Sequence, residues 1–411
     1  MSNKYILWLA AAVSAFLIST ASYAETWPGT FALAKKNNNE LKSAEKNLEA
    51  YEWSYKKSLT SFFPKLSASA SIGKTETGSS SANSASYGLS ATQSLFSGFG
   101  NINAARGAYA QMEYARADLI QKTSGVLYDV RTAFINLLIA EKDLMLQEEI
   151  LSRREGNAKL INLLYESGKE DRGNFMLTLA DVESSKTSVA QAKRNLELAK
   201  LKLSQLTGTE ITKAEDSDAD IKILGNAELR TISETSPSYA MAGYTFDMAA
   251  ISADEASAGL LPDVSLSGNI RKSGSDWPPQ TESKSWSLNF SYSFFPGGSN
   301  IAEKVIKEIS KEKARQTFEQ SKKDIFYATR SAYDNFSNKI EALNVKDLYL
   351  KASTERAKIA RTKYLNGLMS YDDWDRTENS YISAEKDYLS AQKESMAAEA
   401  AWHNSYGGWI K

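Results

Sequence analysis

The sequence predicts a mostly α-helical protein that also carries a membrane β-sheet, built from two copies of one unit. Three observations predict it. The two halves match each other at an offset of 198 to 199 residues, long proline-free stretches keep an apolar spacing of seven, and two short windows in each half switch to a spacing of two. In the self-match, Phe63-Pro64-Lys65-Leu66-Ser67 falls on Leu261-Pro262-Asp263-Val264-Ser265, and Leu95-Phe96-Ser97-Gly98 falls on Phe294-Phe295-Pro296-Gly297. Asn101-Ile102 falls on Asn300-Ile301, and Tyr165-x-x-Gly168 on Tyr364-x-x-Gly367.

Residues 1–24 read as an export signal, with Lys4 as the positive start, an apolar core from Ile6 to Ile18 and a small-x-small cleavage site at Ser22-Tyr23-Ala24. Cleavage leaves Glu25 as the first mature residue. The apolar core of 13 residues is shorter than the roughly 20 a spanning helix needs. No later apolar run reaches that length, so a mature chain that crosses lipid must do so with strands closed into a barrel.

The first repeat is expected over 25–208: a helix, a β-hairpin at 65–96 and a long helical hairpin at 101–207. The second occupies 237–411, with a helix, a β-hairpin at 263–295 and a helical hairpin at 301–405. Residues 209–236 join them.

The strands are read from alternation. Trp286, Leu288, Phe290, Tyr292 and Phe294 interleave with Ser287, Asn289, Ser291 and Ser293, and Tyr87, Leu89, Ala91, Gln93 and Leu95 repeat the pattern more weakly. Their partners are Leu66, Ala68, Ala70, Ile72 and Val264, Leu266, Gly268, Ile270. Each run has about ten residues, the length of a tilted transmembrane strand. The polar stretches Thr75 to Ser86 and Ser273 to Ser285 are expected as connectors, and Ser79-Ser80-Ser81 as a mobile loop. Four strands cannot close on themselves, so a membrane sheet requires several chains in one barrel. The alternative is a soluble antiparallel sheet packed on a helix.

The helices are bounded by proline, which costs about 3 kcal/mol inside one. All seven prolines avoid 65–236 and 297–411. Val130, Leu137, Leu144 and Leu151 step by seven, as do Phe175, Val182, Val189, Leu196 and Leu203. The counterparts are Thr329, Phe336, Leu343, Leu350 and Trp374, Tyr381, Tyr388, Ser395, Trp402. A sustained seven-residue period is a left-handed coiled-coil seam, and a helix from 101 to 165 is about 100 Å long.

Composition removes several function classes. Lys plus Arg total 49 against 50 Asp plus Glu, which leaves no basic footprint for a nucleic acid. The absence of cysteine excludes thiolate chemistry, and His403 as the single histidine argues against multi-His metal cages and His-based triads. No enzyme, cofactor or metal is expected. Gly98-Phe99-Gly100 lacks the third glycine of a dinucleotide loop, since residue 103 is Asn, and reads as a strand-to-helix corner. His403 reads as a packing residue.

The most informative cluster is Ser370-Tyr371-Asp372-Asp373-Trp374-Asp375-Arg376, with three carboxylates at the start of the last helix. Ser370 suits an N-cap, and Asp in a first turn is favoured by the helix dipole.

In the order and duplication of these motifs the chain resembles the outer-membrane efflux proteins, the TolC-like channel-tunnels of Gram-negative bacteria. That resemblance implies a homotrimer in the outer membrane with helices extending into the periplasm. Each chain would give four strands to a twelve-stranded barrel and its long helices to an antiparallel coiled-coil α-helical barrel. Solutes or proteins would pass through it passively, in tripartite efflux or type I secretion, driven by an inner-membrane pump through a periplasmic adaptor. Drug, metal, peptide and protein exporters share this outer component, so cargo choice falls to the pump. The resemblance makes 209–236 a small equatorial region. It turns Trp286, Leu288, Phe290, Tyr292 and Phe294 toward lipid, and it makes the acidic turn the periplasmic gate. Asp373 falls at the main acidic position, helped by Asp372 and Asp375, with Tyr364 and Gly367 where the hairpin flexes. Arg376 stands at the second acidic position and Asn174 at the equivalent of Asp373 in the first repeat. A secreted coiled-coil structural protein or adhesin, or the periplasmic adaptor itself, are the competing readings.

Overall fold

The structure, a computed structural model, describes residues 24–215 and 224–410. Its strands and helices follow the order β1 (Ala24–Thr26), α1 (Trp27–Asn37), α2 (Asn39–Leu59), β2 (Lys65–Thr77), β3 (Ser80–Ser97), α3 (Gly100–Glu166), α4 (Arg172–Thr207) and β4 (Lys213–Glu215). They continue with α5 (Asn226–Glu234), α6 (Pro237–Ala258), β5 (Asp263–Gly274), β6 (Thr281–Ser291), α7 (Ser299–Leu365) and α8 (Tyr371–Tyr406). The export signal expected at 1–24 lies outside the described residues except for Ala24. No helix among the described residues is long and apolar enough to cross a membrane.

Each half thus holds a helix, a strand pair and a helical hairpin. The hairpins match in length, 67 residues for α3 and α7 and 36 for α4 and α8. The rows spaced by seven are their packed sides. Val130, Leu137, Val182, Val189, Leu203, Thr329, Phe336, Trp374, Ser395 and Trp402 are buried, and the remaining members are half-buried. Burying one large apolar side chain stabilises by about 1.5–3 kcal/mol, so these rows outweigh intrinsic helix propensity.

The described residues form two compact units, the first from residues 24–37, 130–215 and 346–393, the second from 38–129, 224–345 and 394–410. In the first, β1 pairs in parallel with β4, and Asn37 Nδ2 donates to the Thr207 carbonyl at 3.1 Å. Trp27 meets Phe134 edge-on and receives the Arg131 guanidinium 5.0 Å from its ring centre. In the second unit, Leu229 of α5, Tyr333 and Phe336 of α7, and Ala398 and Trp402 of α8 share one core. There His403 Nδ1 and the Tyr406 hydroxyl share a hydrogen bond at 2.9 Å, a packing role. Within 209–236 the structure places β4 and α5, with 216–223 outside the described residues.

The second unit also carries a four-stranded antiparallel sheet in the order β2-β3-β5-β6. Register aligns Leu89 with Ile270, Leu266 with Leu288 and Val264 with Phe290 on one face. The other face aligns Ser67 with Ser90, Ser71 with Ser86 and Ser267 with Ser287, each pair sharing a hydroxyl hydrogen bond at 2.7 to 2.8 Å.

Three expectations about this sheet are corrected. Neither Thr75 to Ser86 nor Ser273 to Ser285 is a connector throughout, and Ser80 and Ser81 are not loop: β2 and β3 pair out to Thr77↔Ser80 and turn tightly at Gly78, whose φ is +62°, and β5 and β6 pair out to Ser273↔Thr281. The backbone groups of this stretch are paired with the facing strand, so a segment that reads as loop from its side chains is strand here. Leu95 does not continue the apolar row. A bulge between Ser94 and Phe96 shifts the register, and Phe96 takes the place opposite Val264. Tyr292 and Phe294 lie beyond β6, which stops at Ser291 opposite Asp263, the first residue of β5. Pro262 precedes Asp263 and has no N–H to extend that ladder. At the exit of β3, Gly98 and Phe99 both have positive φ, +58° and +69°, and α3 starts at Gly100, a strand-to-helix corner.

Candidate functional site

The acidic turn is built in the first unit, where α7 ends and α8 begins. Asn366 to Ser370 carry the chain round. Gly367 takes a left-handed φ of +72°, its N–H donates to the Tyr364 carbonyl at 2.9 Å, and the Leu368 N–H donates to the Lys363 carbonyl at 2.9 Å. This pattern satisfies the last carbonyls of the helix and favours glycine at the left-handed residue.

The first turn of α8 separates its three carboxylates by helical phase. Tyr371, Trp374 and Glu378 are buried, so Asp372 and Asp373 project outward while Asp375 lies at the edge of the packed side. Asp373 closes a reciprocal cap: its N–H donates to Ser370 Oγ at 3.2 Å, and the Ser370 hydroxyl donates to Asp373 Oδ2 at 2.9 Å. Asp375 accepts from Arg154 Nη1 at 3.1 Å and from Asn379 Nδ2 at 2.9 Å. The same Arg154 nitrogen lies 3.1 Å from Asp181 Oδ2. One buried guanidinium therefore ties α3, α4 and α8. Burial pushes the Asp181 carboxyl above the ordinary carboxylate range, and the pull of Arg154 offsets this only in part. Asp375 is thereby part of this clamp and does not stand with Asp372 and Asp373, a correction to the grouping read from sequence. Lying four residues past buried Tyr371 and three before buried Glu378, it borders the packed side, where Arg154 compensates its charge.

Tyr364 is 7% exposed and stacks on Trp374 with ring centres 4.5 Å apart. Its hydroxyl donates to Glu170 Oε1, in the turn between α3 and α4, at 2.6 Å. Burial, reinforced by this bond, raises the Tyr364 hydroxyl pKa, so the group stays a donor throughout the physiological range. Ile161, Ala360 and Tyr371 complete the cluster, with Phe175 and Met369 against it. One residue before Arg154, about 100° away in helical phase, Arg153 Nη1 donates to Glu385 at 2.9 Å and its guanidinium lies over the Tyr381 ring.

Sequence reasoning singled out Tyr364, Gly367, Asp372, Asp373 and Asp375 but missed Arg154, Glu170 and Asp181. Arg154 falls three residues past Leu151, on the apolar seam, and a charge at that place is the one trace of the clamp in the sequence.

The predicted lipid-facing row lies in the second unit. Trp286, Leu288 and Phe290 occupy alternate positions of β6 and are 80%, 60% and 68% exposed. Tyr292 and Phe294 are exposed beyond the strand.

A profile of the outer membrane efflux protein family matches residues 31–209 and 229–408, one segment per repeat. No curated protein sequence matches the chain. Among solved structures the chain is similar to CusC, at 18% identity over 92% of this chain and 91% of that one, with a TM-score of 0.84. VceC of Vibrio cholerae, an outer membrane protein, is 15% identical over 93% and 96%, TM-score 0.82. The MtrE outer membrane channel of Neisseria gonorrhoeae is 21% identical over 94% and 89%, TM-score 0.80.

Proposed function

Because the chain belongs to the outer membrane efflux protein family, matched across both of its repeats, we propose that three copies assemble into the outer-membrane duct of a tripartite exporter. Solutes or proteins leave through it passively, driven by an inner-membrane pump that a periplasmic adaptor joins to the helical end.

The observation that carries the reading is the sheet. Its order leaves β2 and β6 as free edges, and its apolar face exposes large side chains such as Leu66 and Trp286, each 80% exposed. Lipid receives such a face but does not tolerate open edges. Strand directions alternate across the sheet, so β6 of one copy meets β2 of the next in the antiparallel sense. Four strands from each of three copies make twelve, an even count as in other outer-membrane barrels.

In this assembly the turn before α8 gathers three copies of Asp372 and Asp373 around the axis at the periplasmic end. Exposed like charges in a narrow ring repel one another and favour a cation between them. The Arg154 clamp and the Tyr364–Trp374 stack hold the hairpin that carries them. Opening requires those contacts to shift about the Gly367 turn.

Fractionation and one pair of variants test the proposal. A charge on the lipid face of a barrel costs about 2–4 kcal/mol near the midplane, whereas the lumen face accepts one. The trimer is expected in the outer membrane, depressed in yield by Phe290→Arg and unaffected by Asn289→Arg. Equal yields from both, or recovery of the wild-type chain in the soluble fraction, would return the molecule to the coiled-coil structural class.

A further inference from the structure

The polar face of the sheet holds a charge that neither lipid contact nor the helical turn uses. Register places serine, threonine, asparagine and glycine almost throughout this face. Its charged members are Lys65 and Asp263, at the strand ends joined to helices, and Arg271, near the opposite end of β5.

Arg271 is fixed rather than free. Its Nη2 donates to Ser86 Oγ on β3 at 2.7 Å, and that oxygen shares a hydrogen bond of 2.8 Å with Ser71 Oγ on β2. Gly88 stands opposite Arg271 in the register. A Cβ at residue 88 would lie 2.7 Å from the Ile270 carbonyl and 3.2 Å from Arg271 Cβ, so glycine leaves the room in which the arginine crosses β3. Among the described residues no carboxylate forms an ion pair with Arg271, and one of its five N–H donors is used by Ser86.

We propose that Arg271 is a specificity-determining residue of the duct, one copy per chain forming a cationic ring inside the outer part of the barrel that attracts anionic groups, carboxylate or phosphate, on departing cargo. The proposal rests on the trimeric duct proposed above. A ring of one sign between low-dielectric walls focuses its field and concentrates counter-ions, and guanidinium matches the geometry of carboxylate and phosphate oxygens. Rings of Arg or Lys act this way in anion and phosphate pores. The hydroxyls of Ser71 and Ser86 hold each guanidinium against the wall so that the passage stays open.

The test uses the purified trimer in planar bilayers, with inorganic tripolyphosphate added on the side of the barrel mouth. Wild type is blocked, and Arg271→Gln raises the half-blocking concentration about ten-fold, the low end of what a focused field does to local ion concentration. Arg271→Lys retains the block. Because the chain has no cysteine, assembled Arg271→Cys trimers can be given back a positive charge with a cationic methanethiosulfonate. Block must return with that reagent and not with a neutral one. Equal block of wild type and Arg271→Gln in conducting trimers, or recovery with the neutral reagent, overturns the proposal while leaving the duct intact. A wild-type chain that forms no conducting trimer overturns both.

Discussion

The two helical turns of this chain have nearly the same backbone and different chemistry. After α3, Tyr165 stacks on Phe175 at 5.5 Å, Gly168 has φ +73°, and Asp171 Oδ1 accepts the Asn174 N–H at 2.9 Å. After α7, Tyr364 stacks on Trp374 at 4.5 Å, Gly367 has φ +72°, and Ser370 Oγ accepts the Asp373 N–H at 3.2 Å. Turn, stack and cap are duplicated residue for residue. What differs is depth and charge: Tyr165 is 37% exposed where Tyr364 is 7% exposed, and Asn174 stands where the second repeat has Asp373. Duplication kept what the backbone requires, and the side chains that the backbone does not constrain became the second turn's own.

Three experiments sharpen this comparison. The largest effect is expected from the stacks: Trp374→Ala should destabilise its turn by about 3–5 kcal/mol, the usual range for a buried aromatic. Phe175→Ala, half-buried, should cost about 1–2 kcal/mol. Amide hydrogen exchange over 364–374 and 165–175 measures both, and equal losses of protection would mean that the two turns are equally packed.

Next come the glycines. No atom lies within 4 Å of a Cβ built at Gly168 or Gly367, so alanine at either meets only the left-handed backbone penalty of about 1–2 kcal/mol. The two variants should lose the same amount in the same exchange experiment. A clear inequality would place the cost in packing instead.

The smallest change in stability comes from moving the charge. Asn174→Asp gains from the helix dipole by about 0.3–1 kcal/mol. It also replaces the Asn174 Nδ2 bond to Glu170, 3.0 Å long, with repulsion, so the net effect on folding is near zero. Its effect on conduction is the informative one. Asp373→Asn should weaken block by hexaamminecobalt(III) added from the helical side, and Asn174→Asp should strengthen it. Unchanged block in both would leave these residues as caps and put the gate elsewhere.

The helical part of the molecule was legible because its evidence is local. Proline exclusion bounded α3 and α7, and the rows through Val130 and Thr329 named their packed sides before any contact was known. The strands were legible in part. Trp286, Leu288 and Phe290 announced a two-faced strand, whereas Ser80 to Ser86 carried no alternation and looked like loop, because its strand character comes from partners on β2 and β5. The clamp at Arg154 was hidden for a related reason: a charge on a coiled-coil seam shows no sign of which carboxylates will meet it, and Asp181 and Asp375 approach from two other helices.

By itself the sequence determined the duplicated unit, the long helices, the polar and apolar faces of the strands and the glycine turns. Each follows from backbone sterics or from a period of 3.5 or 2 residues that acts over a few neighbours. Only the tertiary structure decided that β3 joins β5 and so fuses the two repeats into one sheet. It also decided that β6 stops at Ser291, that Asp375 is compensated while Asp372 and Asp373 are exposed, and that Arg271 lies across Gly88 onto Ser86. Apart from the end of β6, which is set by its neighbour Asp263 on β5, those outcomes depend on residues more than a hundred positions apart, whose meeting is set by how the elements pack and not by any preference that a single segment carries.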